Sequence, residues 1–349
     1  MPTILDPIQI GELTLPNRVL MAPMTRLRAT VDNVPTPMMT EYYTQRASAG
    51  LIIAEATPIS PGALGYAQVP GIWSGAQVQA WRSITTSVHS HDGRIYLQLW
   101  HVGRISDPIF LNGELPVAPS AIAAAGHVSL VRPQKAFVTP RALETHEVHE
   151  VIEEFRLAAQ NAERAGFDGV EIHGATGYLL DQFLESGTNV RTDEFGGSVE
   201  NRARLLLEVA DACVSVFGAG RVAMRISPRA DRHDMSDASP AETFSYVARE
   251  AGKRNLAYLH AREYRADDSL GPRLKQEFGG IYVANENFTF ASANESLAKG
   301  EADAVSFGRL FIANPELPRS FAEGIDLDQP DPTTFYAHGP EGYVDKVVR

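Results

Sequence analysis

The stretch His173-Gly174-Ala175-Thr176-Gly177-Tyr178 gathers an imidazole, a hydroxyl and a phenol within one short segment. An imidazole can donate a hydrogen bond to a substrate oxygen. A phenol with a pKa near ~10 stays protonated at neutral pH and can act as an acid. Immediately ahead, Phe167-Asp168-Gly169-Val170-Glu171-Ile172 is a short apolar run following Gly166 and reads as a buried strand. The polar groups therefore sit at the carboxyl end of a strand, where ligands bind in α/β folds. The types and their order suit a general acid with a partner histidine at a strand end.

Such a site needs a scaffold that brings other strand ends to the same face. Ile8-Gln9-Ile10 and Leu13-Thr14-Leu15 read as a small hairpin around Gly11-Glu12. Apolar runs then recur at Val19–Ala22, Leu51–Glu55, Ile95–Leu99, the run at 167–172, Val222–Ile226, Leu256–His260, Ile281–Ala284 and Ala304–Phe307. Helical patterns separate them: Pro37 to Ala49, Ala76 to His91, a stripe at Val151, Phe155, Ala158, Ala159 and Ala162, and Glu200 to Phe217. Later ones run from a Ser239 cap to Arg254, over Gly271–Phe278, to an end near Gly300, and from Pro315 to Ala322. Eight such βα units without internal repeats predict one (β/α)8 TIM barrel over residues 1–349, a single domain. A doubly wound open sheet is the alternative, and the absence of G-x-G-x-x-G after the first strand counts against it. The segment Val102 to Glu144 lacks periodicity and is too long for an ordinary βα loop, so it is either a functional lid or evidence against the barrel assignment. A proline-rich tail from Leu327 closes the chain.

The 349 residues carry a formal charge of −12, with 44% hydrophobic and 21% charged residues. That balance describes a globular protein with a sizeable core and argues against nucleic acid or an anionic membrane surface as partner. One cysteine, Cys213, rules out a disulfide framework and a four-thiolate metal site, and its helical setting marks it as a small buried hydrophobe. No apolar run of membrane-spanning length and no signal-peptide layout is visible, so a cytoplasmic protein is expected, monomeric or homodimeric. The histidines show no metal-ligand spacing beyond His146 and His149, which read as a solvated helix start.

In a barrel the strand ends collect Pro23, Met24, Thr25, Ala56, Gln98, Trp100, His173, Thr176, Tyr178, Arg225, His260, Asn285, Gly308 and Arg309. Gln98 offers a donor and an acceptor to an imide-like edge. Arg225 emerges from an apolar strand and is costly there unless an anion or electron-rich acceptor meets it. Arg309 follows the last strand, where barrels bind phosphate. A phosphate at one end and an electron-accepting ring at the other describe flavin mononucleotide (FMN). Taken singly, Gln98 is more often a structural polar residue and Arg225 is as readily structural as functional, and His101 and His260 receive no role.

These residues resemble the old yellow enzyme family of flavin-dependent ene-reductases, with the nearest likeness in its bacterial N-ethylmaleimide, pentaerythritol tetranitrate and glycerol trinitrate reductases. The likeness covers nearly the whole chain. It is carried by Leu15-Pro16-Asn17-Arg18, Ala22-Pro23-Met24-Thr25-Arg26, Glu55-Ala56-Thr57 and Gly65-Tyr66. It continues through Gln98 to Arg104, Tyr178 to Leu184, Gly196 to Arg202, Arg225-Ile226-Ser227-Pro228 and Phe307-Gly308-Arg309. The resemblance implies non-covalent FMN, reduced by NADPH or NADH and reoxidised by a small electrophilic alkene: an α,β-unsaturated carbonyl, a maleimide or a nitroalkene, with nitrate esters open to the same groups. It implies flavin contacts from Pro23, Met24, Thr25, Ala56, Gln98, Arg225, Asn285, Gly308 and Arg309, with Arg309 on the phosphate. It implies a substrate pocket bounded by Tyr66, Trp100 and Tyr336, with His173 and Thr176 on the substrate oxygen and Tyr178 protonating the α-carbon. The 102–144 segment becomes the lid beside that pocket.

Two departures set the chain apart. Thr176 stands where the family carries His or Asn, and Ala284-Asn285-Glu286-Asn287-Phe288 replaces a glycine-rich phosphate turn. Oxygen anchoring is then expected to rest mainly on His173, and Glu286 to bring an unwelcome charge near the phosphate and loosen FMN. A flavin-binding barrel with little ene-reductase activity is the alternative reading.

Overall fold

The computed structural model describes residues 2–229 and 232–345. Among these, eight parallel strands close on themselves: β1 Val19–Met21, β2 Leu51–Ile53, β3 Ile95–Trp100, β4 Gly169–Gly174, β5 Val222–Ile226, β6 Leu259–Arg262, β7 Tyr282–Asn285 and β8 Ala304–Phe307. Each pairs with the next in sequence, and β8 returns to β1 through Val305 opposite Val19. The expected hairpin forms over Ile8–Ile10 and Leu13–Leu15. Its Ile8, Ile10 and Leu15 pack with Leu20, Leu51, Ile53, Tyr96 and Tyr258, and so plug one end of the barrel with apolar side chains. Polar chemistry is left to the other end.

The helices form where apolar residues recur at helical spacing. Helix α1 spans Pro37–Thr44, α2 Gly75–His89 and α3 Thr145–Arg164. In α2, Ser74 and Gln77 close a reciprocal capping box, worth about 1 kcal/mol. The buried face of α3 is Val148, Val151, Phe155, Ala158, Ala159 and Ala162, the expected stripe. Phe155 is fully buried, and truncating it to alanine costs about 3–5 kcal/mol through lost transfer energy and the cavity left behind. The remaining helices are α4 Leu179–Leu184, α5 Val199–Phe217, α6 Pro240–Lys253, α7 Gly271–Phe278, α8 Phe290–Ala298, α9 Arg309–Ala313 and α10 Leu317–Glu323.

Three local expectations shift. Strand β6 starts at Leu259, not Leu256, because Ala257 already spends its N–H on the carbonyl of Val222 below the parallel ladder with β7. Ser239 stands at the head of α6, but its hydroxyl makes no capping bond; Asp237 Oδ1 instead accepts from the Ser239 N–H at 2.8 Å and from Thr243 Oγ1 at 3.0 Å. The α1 pattern also stops at Thr44, giving way to turns before Gly50. The 102–144 segment holds little regular structure: a two-residue parallel ladder joins Val117–Ala118 to Arg141–Ala142, and a bridge joins His127 to Ala136. The tail is held by its Tyr343 ring, which stacks on Tyr42 at 4.1 Å beside the Arg26 and Arg28 guanidiniums. Residues 346–349 of that tail lie outside the described residues. Among the described residues no helix is long and apolar enough to cross a membrane.

Candidate active site

The strands deliver polar side chains to the open end in tiers. Side chains alternate along a strand, so Gln98 and Trp100, Glu171 and His173, and His260 and Arg262 face the lumen in pairs. The lower tier is apolar, the next holds Gln98, Glu171, His260 and Ser306, and the mouth holds Trp100, His173, Arg225, Arg262 and Asn285.

Two cavities meet this mouth. The larger, about 980 Å³, is lined by Pro23, Met24, Arg225, Arg262, Asn285, Gly308 and Arg309, among others. The smaller, about 370 Å³, is lined by Tyr66, Thr176, Tyr178, His233, Tyr336 and residues 127–130 of the long segment. Thus the structure collects six of the expected cofactor residues around one space, and Tyr66, Thr176, Tyr178 and Tyr336 around the other. His173 and Trp100 stand between the groups. Arg225 is the register partner of His173, and the Trp100 and Tyr178 rings each lie beside the imidazole, at 6.3 and 5.1 Å. Ala56 packs with Trp100, Tyr66 and Tyr178, on the side of the smaller cavity. Thr25 is half-buried just past β1, and Gln98 is buried in the tier below.

Burial shapes the protonation of the pair. Desolvation, then the Arg225 and Arg262 charges, hold His173 well below the ordinary histidine pKa, so its ring is neutral. Burial and the neighbouring Tyr66 raise Tyr178 well above the ordinary phenol value. The Tyr66 and Tyr178 oxygens share a hydrogen bond at 3.1 Å. Burial therefore keeps the Tyr178 phenol protonated, and its oxygen is tethered to that of Tyr66.

Sequence reasoning missed the groups that hold the turn between them. Thr176 sits at φ 63°, a left-handed conformation costly for a β-branched residue. Its N–H donates to Ser227 Oγ at 2.6 Å, and its carbonyl accepts from His233 Nδ1 at 2.7 Å. The next N–H, of Gly177, donates to Asp181 Oδ2 at 2.8 Å. Asp181 lies on α4, a helix too short to announce itself by periodicity. Arg262 was missed with the misplaced start of β6, although strand alternation from His260 points to it.

Arg262 also corrects the expectation for the phosphate turn. Its Nε donates to Glu286 Oε2, so that carboxylate is neutralised rather than turned loose on an anion. Glu286 and Asn287 nonetheless adopt φ of 134° and 55°, conformations that glycine takes at no cost. Arg309 is exposed at the edge of the larger cavity.

The residues present fit a flavin nucleotide. Buried polar atoms at the mouth, Arg225 Nε, His173 Nδ1 and Trp100 Nε1, lack any partner among the described residues, and buried polar atoms normally have one. A cavity of nucleotide size adjoins Arg225 and reaches Arg309.

Fold and site together define a flavin oxidoreductase barrel. The comparisons agree: the chain belongs to the NADH:flavin oxidoreductase / NADH oxidase family, whose model matches residues 3–328. It is 43% identical to 12-oxophytodienoate reductase 1 of Oryza sativa subsp. japonica, over 98% of this chain and 92% of that protein. Among solved structures it superposes on the old yellow enzyme homologue from Zymomonas mobilis with a TM-score of 0.96, at 44% identity and 99% coverage of both chains. Morphinone reductase in complex with tetrahydroNAD gives a TM-score of 0.95 at 47% identity, covering 99% of this chain and 97% of the other. FMN is the cofactor, and a reduced nicotinamide nucleotide is the reductant.

Proposed function

We propose that this protein reduces activated carbon–carbon double bonds, with His173 and Thr176 as the oxygen clamp and Tyr178 as the proton donor. The supporting observation is a neutral buried imidazole with an unpartnered Nδ1, beside a phenol whose oxygen is tethered to that of Tyr66. Thr25, Gln98 and Arg225 would hold the flavin ring, with Arg225 where negative charge gathers on reduction; Arg309 would hold the phosphate. FMN, when bound and reduced, would supply the hydride that the β-carbon of the alkene receives. As charge grows on the substrate carbonyl or nitro oxygen, His173 stabilises it by hydrogen bonding in a site that excludes most water. Tyr178 then gives its proton to the α-carbon. Trp100, Tyr66 and Tyr336 bound the pocket, and the 102–144 segment covers it as a lid. The whole chain is read as one domain, acting as a monomer or homodimer in the cytoplasm.

NADPH or NADH consumption without oxygen tests this reading. It should depend on 2-cyclohexenone or N-ethylmaleimide; oxidation that proceeds only with oxygen would favour a flavin-binding barrel without ene-reduction.

A further inference from the structure

One buried group in the barrel has no part in that mechanism. Glu171 and His260 are both fully buried in the lumen, and His260 Nδ1 lies 2.8 Å from Glu171 Oε2. Strand β5 separates their strands, so this contact crosses the inside of the barrel. The other carboxylate oxygen, Oε1, accepts from Gln98 Nε2 at 2.7 Å, and these two residues are register partners on β3 and β4. On the far side, His260 Nε2 meets Ser306 Oγ at 2.8 Å. The Ser306 carbonyl accepts from Asn285 Nδ2 at 3.0 Å, and Asn285 Oδ1 accepts from Arg225 at 2.9 Å. The chain of bonds thus runs around the lumen from Gln98 to Arg225.

Two consequences follow from the donor inventory. Because Gln98 spends an N–H on a carboxylate, its amide cannot flip, and Oε1 is the end left to accept. The histidine donor and the nearby Arg225 charge hold Glu171 below the ordinary carboxylate pKa despite burial, while burial keeps His260 neutral. A net negative charge therefore sits directly beneath the tier that carries Arg225. An anion there opposes the gathering of negative charge above it.

We propose that Glu171 and His260 are positioning residues that fix the Gln98 amide and lower the reduction potential of the bound flavin. This rests on the reading that Gln98 and Arg225 hold the flavin ring, and it adds the origin of their geometry and field. The potential of the FMN-loaded protein, measured by dye equilibration, reads it out. Glu171→Gln keeps the shape and removes the charge, so the reduced form should gain about tenfold over the oxidised form, an upward shift of ~30 mV. An unchanged or lower potential in a folded, FMN-loaded Glu171→Gln protein would overturn the proposal.

The His260 pair decides the matter if Glu171→Gln does not fold. His260→Asn keeps an N–H near the carboxylate and should retain the wild-type potential. His260→Leu removes the donor, leaves a buried carboxyl that takes up a proton, and should raise the potential as Glu171→Gln does. Equal potentials in these two variants would mean a merely structural polar layer. Gln98→Ala separates the underlying reading: unchanged FMN affinity and potential there would remove that reading and the proposal with it.

Discussion

The phenol oxygens of Tyr66 and Tyr178 lie 3.1 Å apart, and that bond holds the oxygen of the proposed acid in place. Tyr66 stacks on Trp100 at 5.4 Å, and Trp100 meets the Tyr178 ring edge-on at 4.9 Å, so both phenols are clamped by one indole. Removing the acid and removing its partner should therefore have unequal effects. Tyr178→Phe should slow alkene-driven reoxidation of the flavin by 10²–10⁴-fold, the usual worth of a positioned proton donor, and leave reduction by NADPH or NADH unchanged. Tyr66→Phe should cost roughly tenfold, about 1.4 kcal/mol, for one lost neutral hydrogen bond. Stopped-flow measurement of the two half-reactions separates these outcomes.

Much of this site was legible because barrel strands end in the residues that do chemistry. The hairpin, β5, α7 and β8 occupy the ranges their patterns predict. Tyr66, Thr176, Tyr178 and Tyr336 do surround one cavity although Tyr336 lies far along the chain. What stayed hidden is contact across the lumen or between loops. The bond of His260 to Glu171 joins strands that are not neighbours, and no spacing along the chain encodes it. Likewise Ser227 and His233 from the loop after β5, and Asp181 from α4, converge on the Thr176 turn. The pairing of Glu286 with Arg262 joins the ends of neighbouring strands β6 and β7 and was missed because the expected sixth strand stopped at His260.

Thr176 offers a test of both strain and specificity. Asparagine tolerates φ near 60° better than a β-branched residue, so Thr176→Asn should stabilise the fold by about 1 kcal/mol in thermal or denaturant unfolding. Its longer amide should also add a second donor for the substrate oxygen and raise kcat/KM for 2-cyclohexenone several-fold. A rate that is unchanged or lower would mean that Thr176 does not limit oxygen anchoring.

Arg309 is exposed and has no ion-pair partner among the described residues, so its removal costs the fold nothing obvious. Arg309→Ala should weaken FMN binding by roughly 10–100-fold, the range for a charge-assisted hydrogen bond to phosphate, as read by flavin fluorescence titration. Riboflavin, which lacks the phosphate, should bind the wild type and the variant alike.

Glu55 predicts a pH dependence of stability. Burial raises its carboxyl to about 7, above the ordinary 4.5, although Tyr43 donates to Oε1 at 3.1 Å and the Arg26 N–H to Oε2 at 3.3 Å. A folded-state value above the unfolded one means that the native state holds the proton longer. The stabilisation is full below about pH 4.5 and is lost as pH rises to about 7. The loss amounts to ~3 kcal/mol. Glu55→Gln should remove that decline, as followed by denaturant midpoints between pH 5 and 8.

The central claim is that an alkene, held by His173 and protonated by Tyr178, takes the electrons from the flavin of this barrel. Anaerobic reduction of the FMN-loaded protein with NADPH or NADH, followed by mixing with 2-cyclohexenone, tests it most directly. The oxidised flavin spectrum should return on mixing, with cyclohexanone formed in equal amount to the flavin reoxidised. Flavin that stays reduced until oxygen is admitted would contradict the account.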